Sequence, residues 1–258
     1  MNRFPWAAAI ALCVTSFTAT TQAASLDEAV AELEAMTWYS EEYPPYNYEV
    51  DGEVVGISTD ILLAAFEKIG ANISRKDIRI IPWNRGYKFI QTRPGTALYS
   101  MTYTEERLKS MKFVGPAVPT RVSVIAPKST QISADTPADL DGLKIGVVRD
   151  DVGDQLLLKV LGNDTNVSRK NSLKQLMYLL HSGRIDAVSY SAGVFQHAAR
   201  KAGDDPGLYE EVFVLEEGQL GYAFHNATDP AILVPLQKAV DELSADGTVE
   251  RIISTYRD

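Results

Sequence analysis

The most informative segment of the sequence reads Ser100-Met-Thr-Tyr-Thr-Glu-Glu-Arg-Leu-Lys-Ser-Met-Lys-Phe113. The uncharged residues 96–99, which follow a Pro-Gly turn signal, predict a buried strand. Thr104 predicts a helix N-cap, because its hydroxyl accepts a backbone N–H that has no partner inside the helix. Arg107 then stands at the third position of a short helical turn. A guanidinium held there, with threonine hydroxyls beside it, suits the binding of a carboxylate; a solvated surface arginine is the equal alternative.

The wider motif resembles a known ligand-binding signature. Thr102-x-Thr-x-x-Arg107, followed by Phe113 and Gly115-Pro116, is similar to the motif of the bacterial periplasmic solute-binding proteins, family 3, the polar amino-acid receptors of ABC transporters. The resemblance covers nearly all of the chain after residue 35. It implies that Arg107 holds the α-carboxylate of the ligand.

The first 23 residues have the pattern of a secretory signal peptide. Arg3 gives a positive start, residues 7–14 are apolar, and Thr21-Gln-Ala23 is a small-residue cleavage site. The only cysteine, Cys13, lies inside this segment, so the mature chain is expected to rely on its core and not on disulfides. The predicted location is the periplasm.

Composition narrows the possible partners. A formal net charge of −9 without basic clusters argues against nucleic acid and anionic membrane surfaces. No later segment approaches the roughly 18 consecutive apolar residues of a membrane span, so no direct membrane insertion is expected. The remaining chain of about 235 residues can form one large domain or two lobes of about 100 residues each.

Strands and helices alternate along the chain in two series, which indicates α/β architecture with mainly parallel sheets. The second series opens at residues 140–148, and separate strands are predicted over residues 212–215 and 219–224. The resemblance implies a two-lobed periplasmic-binding-protein-like fold (type II). Each lobe would be a mainly parallel sheet flanked by helices, and two crossing strands, near residues 122–126 and 219–224, would join them. The expected division is residues 24–123 and 223–258 for lobe 1, and 124–222 for lobe 2.

Two aromatic residues stand beside prolines. Tyr43 precedes Pro44-Pro45, and Trp83 follows Pro82. In the family that the chain resembles, aromatic residues at these places sandwich the ligand side chain, a role that suits large rings on rigid loops. The alternative is that both rings pack inside the lobe. Tyr46 and Arg85 are weaker candidates for the same site.

The segment of residues 147–154 joins a strand to a helix in the predicted lobe 2. Arg149 and Gly153 match a family loop whose N–H groups touch the ligand. Asp150, Asp151 and Asp154 depart from the small-residue character of that loop. Carboxylates at a helix N-terminus stabilise the helix through its dipole, which is a purely structural explanation. They also oppose a second anionic group, which favours a ligand whose far end is cationic or neutral.

Ser191 is the largest departure from the family pattern, since an aspartate normally stands there and pairs with the ligand α-amine. An unpaired ammonium in a closed cleft would be costly. Either Glu41, Glu42, Asp150 or Asp151 therefore supplies the charge, or the ligand lacks an α-amine. The family pattern predicts that Ser191→Asp improves the binding of ordinary α-amino acids.

The sequence contains no nucleophile motif, phosphate loop or metal-ligand spacing, so no catalytic residue, metal or cofactor is expected. The predicted function is capture of a small carboxylate-bearing solute, an amino acid or a derivative, by hinge closure. The solute would pass to an ABC permease in the inner membrane. A dehydratase-like enzyme on the same scaffold and a ligand-sensing subunit remain as alternatives. The candidate ligand-binding residues are Tyr43, Trp83, Ser100, Thr102, Arg107, Arg149, Gly153 and Ser191.

Overall fold

The computed structural model describes residues 24–256, so the predicted signal peptide of residues 1–23 lies outside the described residues. The helices are α1 (Leu26–Ala35), α2 (Ile57–Ile69), α3 (Trp83–Thr92), α4 (Glu105–Ser110), α5 (Val152–Leu161), α6 (Leu173–His181), α7 (Ala192–Ala202), α8 (Pro230–Ala245) and α9 (Thr248–Thr255). The strands are β1 (Thr37–Ser40), β2 (Tyr48–Val50), β3 (Glu53–Val55), β4 (Ile78–Ile80), β5 (Thr96–Thr102), β6 (Met111–Pro127), β7 (Ile145–Val148), β8 (Val167–Lys170), β9 (Ala187–Ser191) and β10 (Tyr209–His225).

Two strands of 17 residues each, β6 and β10, run antiparallel through the middle of the molecule. They lie at the centre of an eight-stranded sheet with the order β4-β1-β5-β10-β6-β9-β7-β8. The three strands on each side are parallel to one another. We call the half with β1, β4 and β5 lobe 1, and the half with β7, β8 and β9 lobe 2. This arrangement confirms the predicted two-lobed α/β fold with two crossing strands.

The register shows where the crossing lies. Leu220 of β10 pairs with Thr102, the last residue of β5, whereas Val122 of β6 pairs with Ser191, the last residue of β9. The carboxyl ends of β5 and β9, and of the strands parallel to them, therefore face the crossing from opposite sides. The lobe boundaries predicted at residues 123/124 and 222/223 fall within these two strands and stay predictions.

The core of lobe 1 is built around Trp38 on β1, whose side chain is 1% exposed. Its indole N–H donates to the carbonyl of Leu33 at 3.0 Å. Phe66 and Phe224 meet the indole edge to face, with ring centroids 4.9 and 5.6 Å away. Such aromatic pairs stabilise a core by about 0.5–1.5 kcal/mol each beyond the burial of their area. They fix α1, α2 and β10 against β1.

The C-terminal helices α8 and α9 pack on lobe 1. Gln237 of α8 binds both backbone groups of Gly115, and its amide accepts at 2.9 Å and donates at 3.0 Å. The Tyr256 hydroxyl donates to Asp60 of α2 at 2.6 Å. The chain thus returns to its first lobe after the second crossing strand.

Several features differ from the sequence-based predictions. Residues 212–215 and 219–224 were predicted as separate strands, but both belong to β10, because β6 pairs with this strand along its whole length. The β6–β10 ladder contains three register shifts, so the two strands stay paired across the residues between the apolar segments. Helix α1 and the strands β2, β3 and β8 were not predicted, and β6 begins at Met111, well before the strand predicted near residues 122–126.

Candidate ligand-binding site

Polar and aromatic side chains gather where the parallel strands of both lobes end. Glu41 follows β1, Trp83 follows β4, and Thr102 closes β5. From the opposite lobe, Asp151 follows β7 and Ser191 closes β9. A crevice at the carboxyl ends of parallel strands is the usual ligand site of open α/β sheets.

Arg107 on α4 is buried, with 1% of its surface exposed. The Thr104 hydroxyl accepts the Arg107 backbone N–H at 3.2 Å, which confirms the predicted N-cap. The guanidinium Nη1 donates to the Thr102 carbonyl at 3.3 Å, and the guanidinium carbon lies 5.3 Å from the ring centroids of both Trp83 and Tyr87. Nε and Nη2 have no hydrogen-bond partner among residues 24–256. Two strong donors thus lie in a buried site, where an oxyanion can accept a hydrogen bond from each of them.

Two carboxyl groups are buried so close to Arg107 that its positive charge affects the pKa of each. Glu41 is 7% exposed and Asp151 is 5% exposed. Burial raises the pKa of Glu41 well above its usual value; Asp151 raises it further and Arg107 opposes the rise. Burial likewise raises the pKa of Asp151 to about 6, against the lowering effect of Arg107 and of the backbone N–H groups of Val152 and Gly153. The sequence offered four acids as possible partners of the ligand amine, and the fold buries these two. Glu42 and Asp150 are exposed.

Aromatic rings from both lobes enclose this cluster. Tyr43 and Tyr190 are 2% and 3% exposed and meet edge to face at 5.7 Å across the lobes. Tyr46 stacks on Tyr43 at 5.7 Å, and Trp83 stacks on Tyr87 at 5.4 Å. The two lobes are therefore in contact around the charged groups.

Unpartnered polar atoms concentrate here. Eight buried side-chain polar atoms have no hydrogen-bond partner among the described residues, and four of them belong to Trp83, Arg107 and Asp151. Buried polar atoms are nearly always paired, so such a concentration indicates that a ligand supplies the partners. A cavity of about 300 Å³ between the lobes borders the cluster at Glu41, Trp83 and Tyr190, and its volume is at the lower end of those of small-molecule sites. It is lined by Glu41, Glu42, Ile80, Ile81, Pro82, Trp83, Val148, Asn171, Ser172, Leu173 and Tyr190.

Comparison with known proteins decides the family. Residues 36–258 match the family described as bacterial extracellular solute-binding proteins, family 3. The chain belongs to this family. The probable histidine-binding protein of Neisseria gonorrhoeae is 24% identical over 222 residues, which cover 83% of this chain and 80% of the relative.

Solved structures share the fold of this solute-binding protein. The P235GK mutant of ArgBP from T. maritima superposes with a TM-score of 0.73 at 22% identity, covering 88% of this chain and 98% of the other. A histidine kinase sensor domain with similarity to periplasmic binding proteins gives a TM-score of 0.74 at 19% identity, with coverage of 85% and 95%. At these identities the likeness establishes the fold.

Six of the eight predicted site residues of the solute-binding protein lie at the crevice between the lobes. Arg107, Thr102, Tyr43, Trp83 and Ser191 are within or beside the buried cluster, each 3% exposed or less. Ser100 acts through a neighbour. Its backbone has a φ of +58°, and its hydroxyl donates to the side-chain oxygen of Asn47. The Asn47 amide in turn donates to the Glu41 carbonyl at 2.8 Å. Their contacts with a ligand stay predictions.

The other two, Arg149 and Gly153, are placed differently. Arg149 is exposed after β7, and the structure does not bring it into the buried cluster. Gly153 packs the first turn of α5 on β9, and the Ser189 hydroxyl donates to its carbonyl at 2.9 Å. Asp154 is also structural, since Arg169 donates to both of its carboxylate oxygens at 3.1 and 3.0 Å. Of the three aspartates in this loop, Asp151 alone joins the cluster.

Sequence reasoning missed Tyr87 and Tyr190. Tyr87 stands four residues after Trp83 on α3, a spacing that puts both rings on one helix face and was available as a signal. Tyr190 lies on β9, where all five residues are buried, so no alternation marks the face toward the crevice.

Among residues 24–256, no α-helix combines the length and the apolar composition of a membrane-spanning segment. The same residues contain no group of three or more histidine, cysteine, aspartate or glutamate side chains placed to hold a metal ion.

Gly153→Ala is expected to lower the free energy of unfolding by about 1–3 kcal/mol, because overpacking a tight contact costs that much. A Cβ at this position would overlap the carbonyl oxygen of Ser189 and lie 3.0 Å from its carbonyl carbon, and backbone atoms cannot swing aside. Gly193→Ala is the matched control, since the nearest atom to its Cβ is 3.6 Å away. Urea unfolding of both variants measures the difference; equal stabilities would contradict the packing role of Gly153.

Proposed function

We propose that this protein captures an amino acid between its two lobes and delivers it to an ABC permease. The observation that carries the proposal is the buried guanidinium of Arg107, with two unpartnered N–H donors in a crevice between the lobes. The carboxylate of the ligand would accept from Nε and Nη2, which form the bidentate edge that matches a carboxylate. The rings of Trp83 and Tyr87 would pack beside the ligand.

The acids Glu41 and Asp151 would bind the ammonium of the ligand. They take the place of the aspartate that the family pattern expects at residue 191. Both are buried beside Arg107, so the site offers a guanidinium and two carboxyl groups, complementary to a molecule with a carboxylate and a cationic group. The names of similar proteins mention histidine, cystine, glutamine and arginine, which supports an amino acid as the ligand.

The family supports finer assignments, which we propose here. The protein would act in the periplasm, after cleavage of the signal peptide of residues 1–23, and would pass its ligand to the permease in the closed form. The candidate site residues would hold the ligand on lobe 1, and lobe 2 would close over it by bending of β6 and β10 at the crossing.

An enzyme on the same scaffold is the alternative function, because Asp151 has the raised pKa that an acid–base catalyst needs. Burial in the closed crevice is the largest cause of that rise, and the cation of a ligand would oppose it. We therefore propose binding without turnover. Mass spectrometry of the ligand after long incubation with stoichiometric protein should return it unchanged; a dehydrated product would establish the enzyme instead.

The proposed function is tested by a thermal-shift screen of the twenty amino acids and of simple organic acids on the mature protein. An amino acid present at about 100 times its Kd should add about 2.7 kcal/mol of stability and raise Tm. Organic acids without an amine should give smaller shifts, because they leave Glu41 and Asp151 unbalanced. A screen in which no amino acid raises Tm would overturn the proposal.

A further inference from the structure

The buried cluster carries an unbalanced charge. Arg107 contributes one positive charge, and Glu41 and Asp151 contribute two negative charges when ionised. Of the other charged groups that act on them, Glu42 is exposed and Asp154 is paired with Arg169 at 3.0 Å. The phenols of Tyr43 and Tyr190 stay neutral, since burial raises the pKa of both well above the usual value. With both acids ionised, the closed crevice would therefore hold one negative charge in excess.

The excess arises only on closure, because the two acids come from different lobes. Glu41 belongs to the loop after β1, and Asp151 is the N-cap of α5 after β7. When the lobes separate, water can reach each carboxylate. When the lobes meet, each acid loses water and faces the other, and an uncompensated buried charge is strongly unfavourable. A cation from the ligand or a proton on one of the acids can relieve it.

No histidine among residues 24–256 belongs to the buried cluster: His181 contacts Asp204 at 2.9 Å, the His197 ring lies 6.2 Å from the Tyr48 ring, and His225 accepts from the backbone N–H of Ala227. Within the buried cluster, the Glu41–Asp151 pair is therefore the group that can hold a proton taken up on closure, and the pair titrates as a unit.

We propose that closure of this crevice is charge-balanced: a ligand of net charge +1 closes it without proton uptake, and a neutral zwitterion of the same shape closes it only with uptake of about one proton. The proposal rests on the proposed function, since it takes the ligand carboxylate to face Arg107. It makes the Glu41–Asp151 pair the feature that selects cationic over neutral amino acids as pH rises.

L-Arginine and L-citrulline test this directly, because they have nearly the same shape and differ by one positive charge. Calorimetry on the mature protein at pH 7.5, in phosphate and in Tris, measures protons through the different ionisation enthalpies of the buffers. We expect uptake near zero for arginine and near one for citrulline. Between pH 7 and 8 the Kd of citrulline should rise about tenfold, and that of arginine should stay constant.

Asp151→Asn should abolish the proton uptake with citrulline and flatten its pH dependence. Asp150→Asn is the matched control, because it removes an adjacent but exposed carboxylate, and it should leave both unchanged. Equal proton uptake with both amino acids, or uptake that persists in Asp151→Asn, would overturn the proposal.

A measurement on the ligand-free protein separates this inference from the proposed function. Burial raises the pKa of both acids in the closed form, that of Glu41 well above its usual value, so closure is favoured while the pair keeps a proton and is lost as the pH rises through the raised pKa of the pair. The radius of gyration from small-angle X-ray scattering should thus increase from pH 5 to pH 8 in the wild type and stay constant in Asp151→Asn. If neither amino acid binds, the amino-acid assignment fails and this arm still decides: a pH-independent radius in the wild type would overturn the charge balance.

Discussion

Arg107→Met is expected to weaken the binding of L-arginine by about 3–5 kcal/mol, which is roughly 150- to 4,000-fold in Kd. Methionine keeps much of the volume but removes the two donors that have no other buried partner. It also leaves Glu41 and Asp151 without the positive charge that opposes their repulsion. Both effects act on the closed, liganded state. Isothermal titration calorimetry measures the loss.

Two further variants separate these effects. Arg107→Lys keeps the charge without the planar fork, so it should fall between the wild type and Arg107→Met. Arg184→Met removes an exposed arginine of lobe 2 and should leave Kd unchanged. The Tm of ligand-free Arg107→Met should stay near that of the wild type, because two of the three guanidinium nitrogens make no hydrogen bond in the fold. A Kd within a few-fold of wild type would remove Arg107 from the site.

The presentation of Arg107 could be predicted because it depends on local chemistry. A buried strand, a capping threonine and an arginine at the third helical position are all readable within a dozen residues, and the structure has each of them. The alternation of strands and helices likewise predicted the α/β lobes. The return of the chain to lobe 1 came from the family resemblance, since pairing between β5 and β10 joins residues more than a hundred positions apart.

The choice among the acids could not be made from the sequence. Glu41 and Glu42 are neighbours, as are Asp150 and Asp151, and in each pair one side chain is buried and the other exposed. The backbone decides: Asp150 adopts a φ of +61°, a left-handed conformation that few residues other than glycine favour. Two adjacent aspartates in the sequence do not indicate which of them adopts the left-handed conformation. The charge of the site therefore became visible only with the fold.

The burial of Glu41 and Asp151 reverses the effect on ligand binding that is expected for Ser191→Asp. The family pattern predicts that restoring the aspartate improves the binding of ordinary α-amino acids. In the structure Ser191 is 1% exposed, its hydroxyl lies 3.4 Å from that of Thr120, and it lowers the pKa of the Tyr43 phenol against the larger effect of burial. The same phenol is acted on by Asp151 and Glu41. A new carboxylate would thus join two acids that already share one arginine.

We therefore expect Ser191→Asp to weaken the binding of both L-arginine and L-citrulline at pH 7.5 by about 3 kcal/mol or more, at least roughly 150-fold in Kd, because it buries a further unpaired charge. Ser191→Asn has nearly the same size without the charge, so it should bind much more tightly than Ser191→Asp. Lowering the pH to 5.5 should restore part of the lost affinity in Ser191→Asp alone, since protonation neutralises the added group. Calorimetry at the two pH values makes the comparison. Tighter binding by Ser191→Asp would mean that Glu41 and Asp151 do not serve the ligand ammonium, and that the family position keeps its usual role.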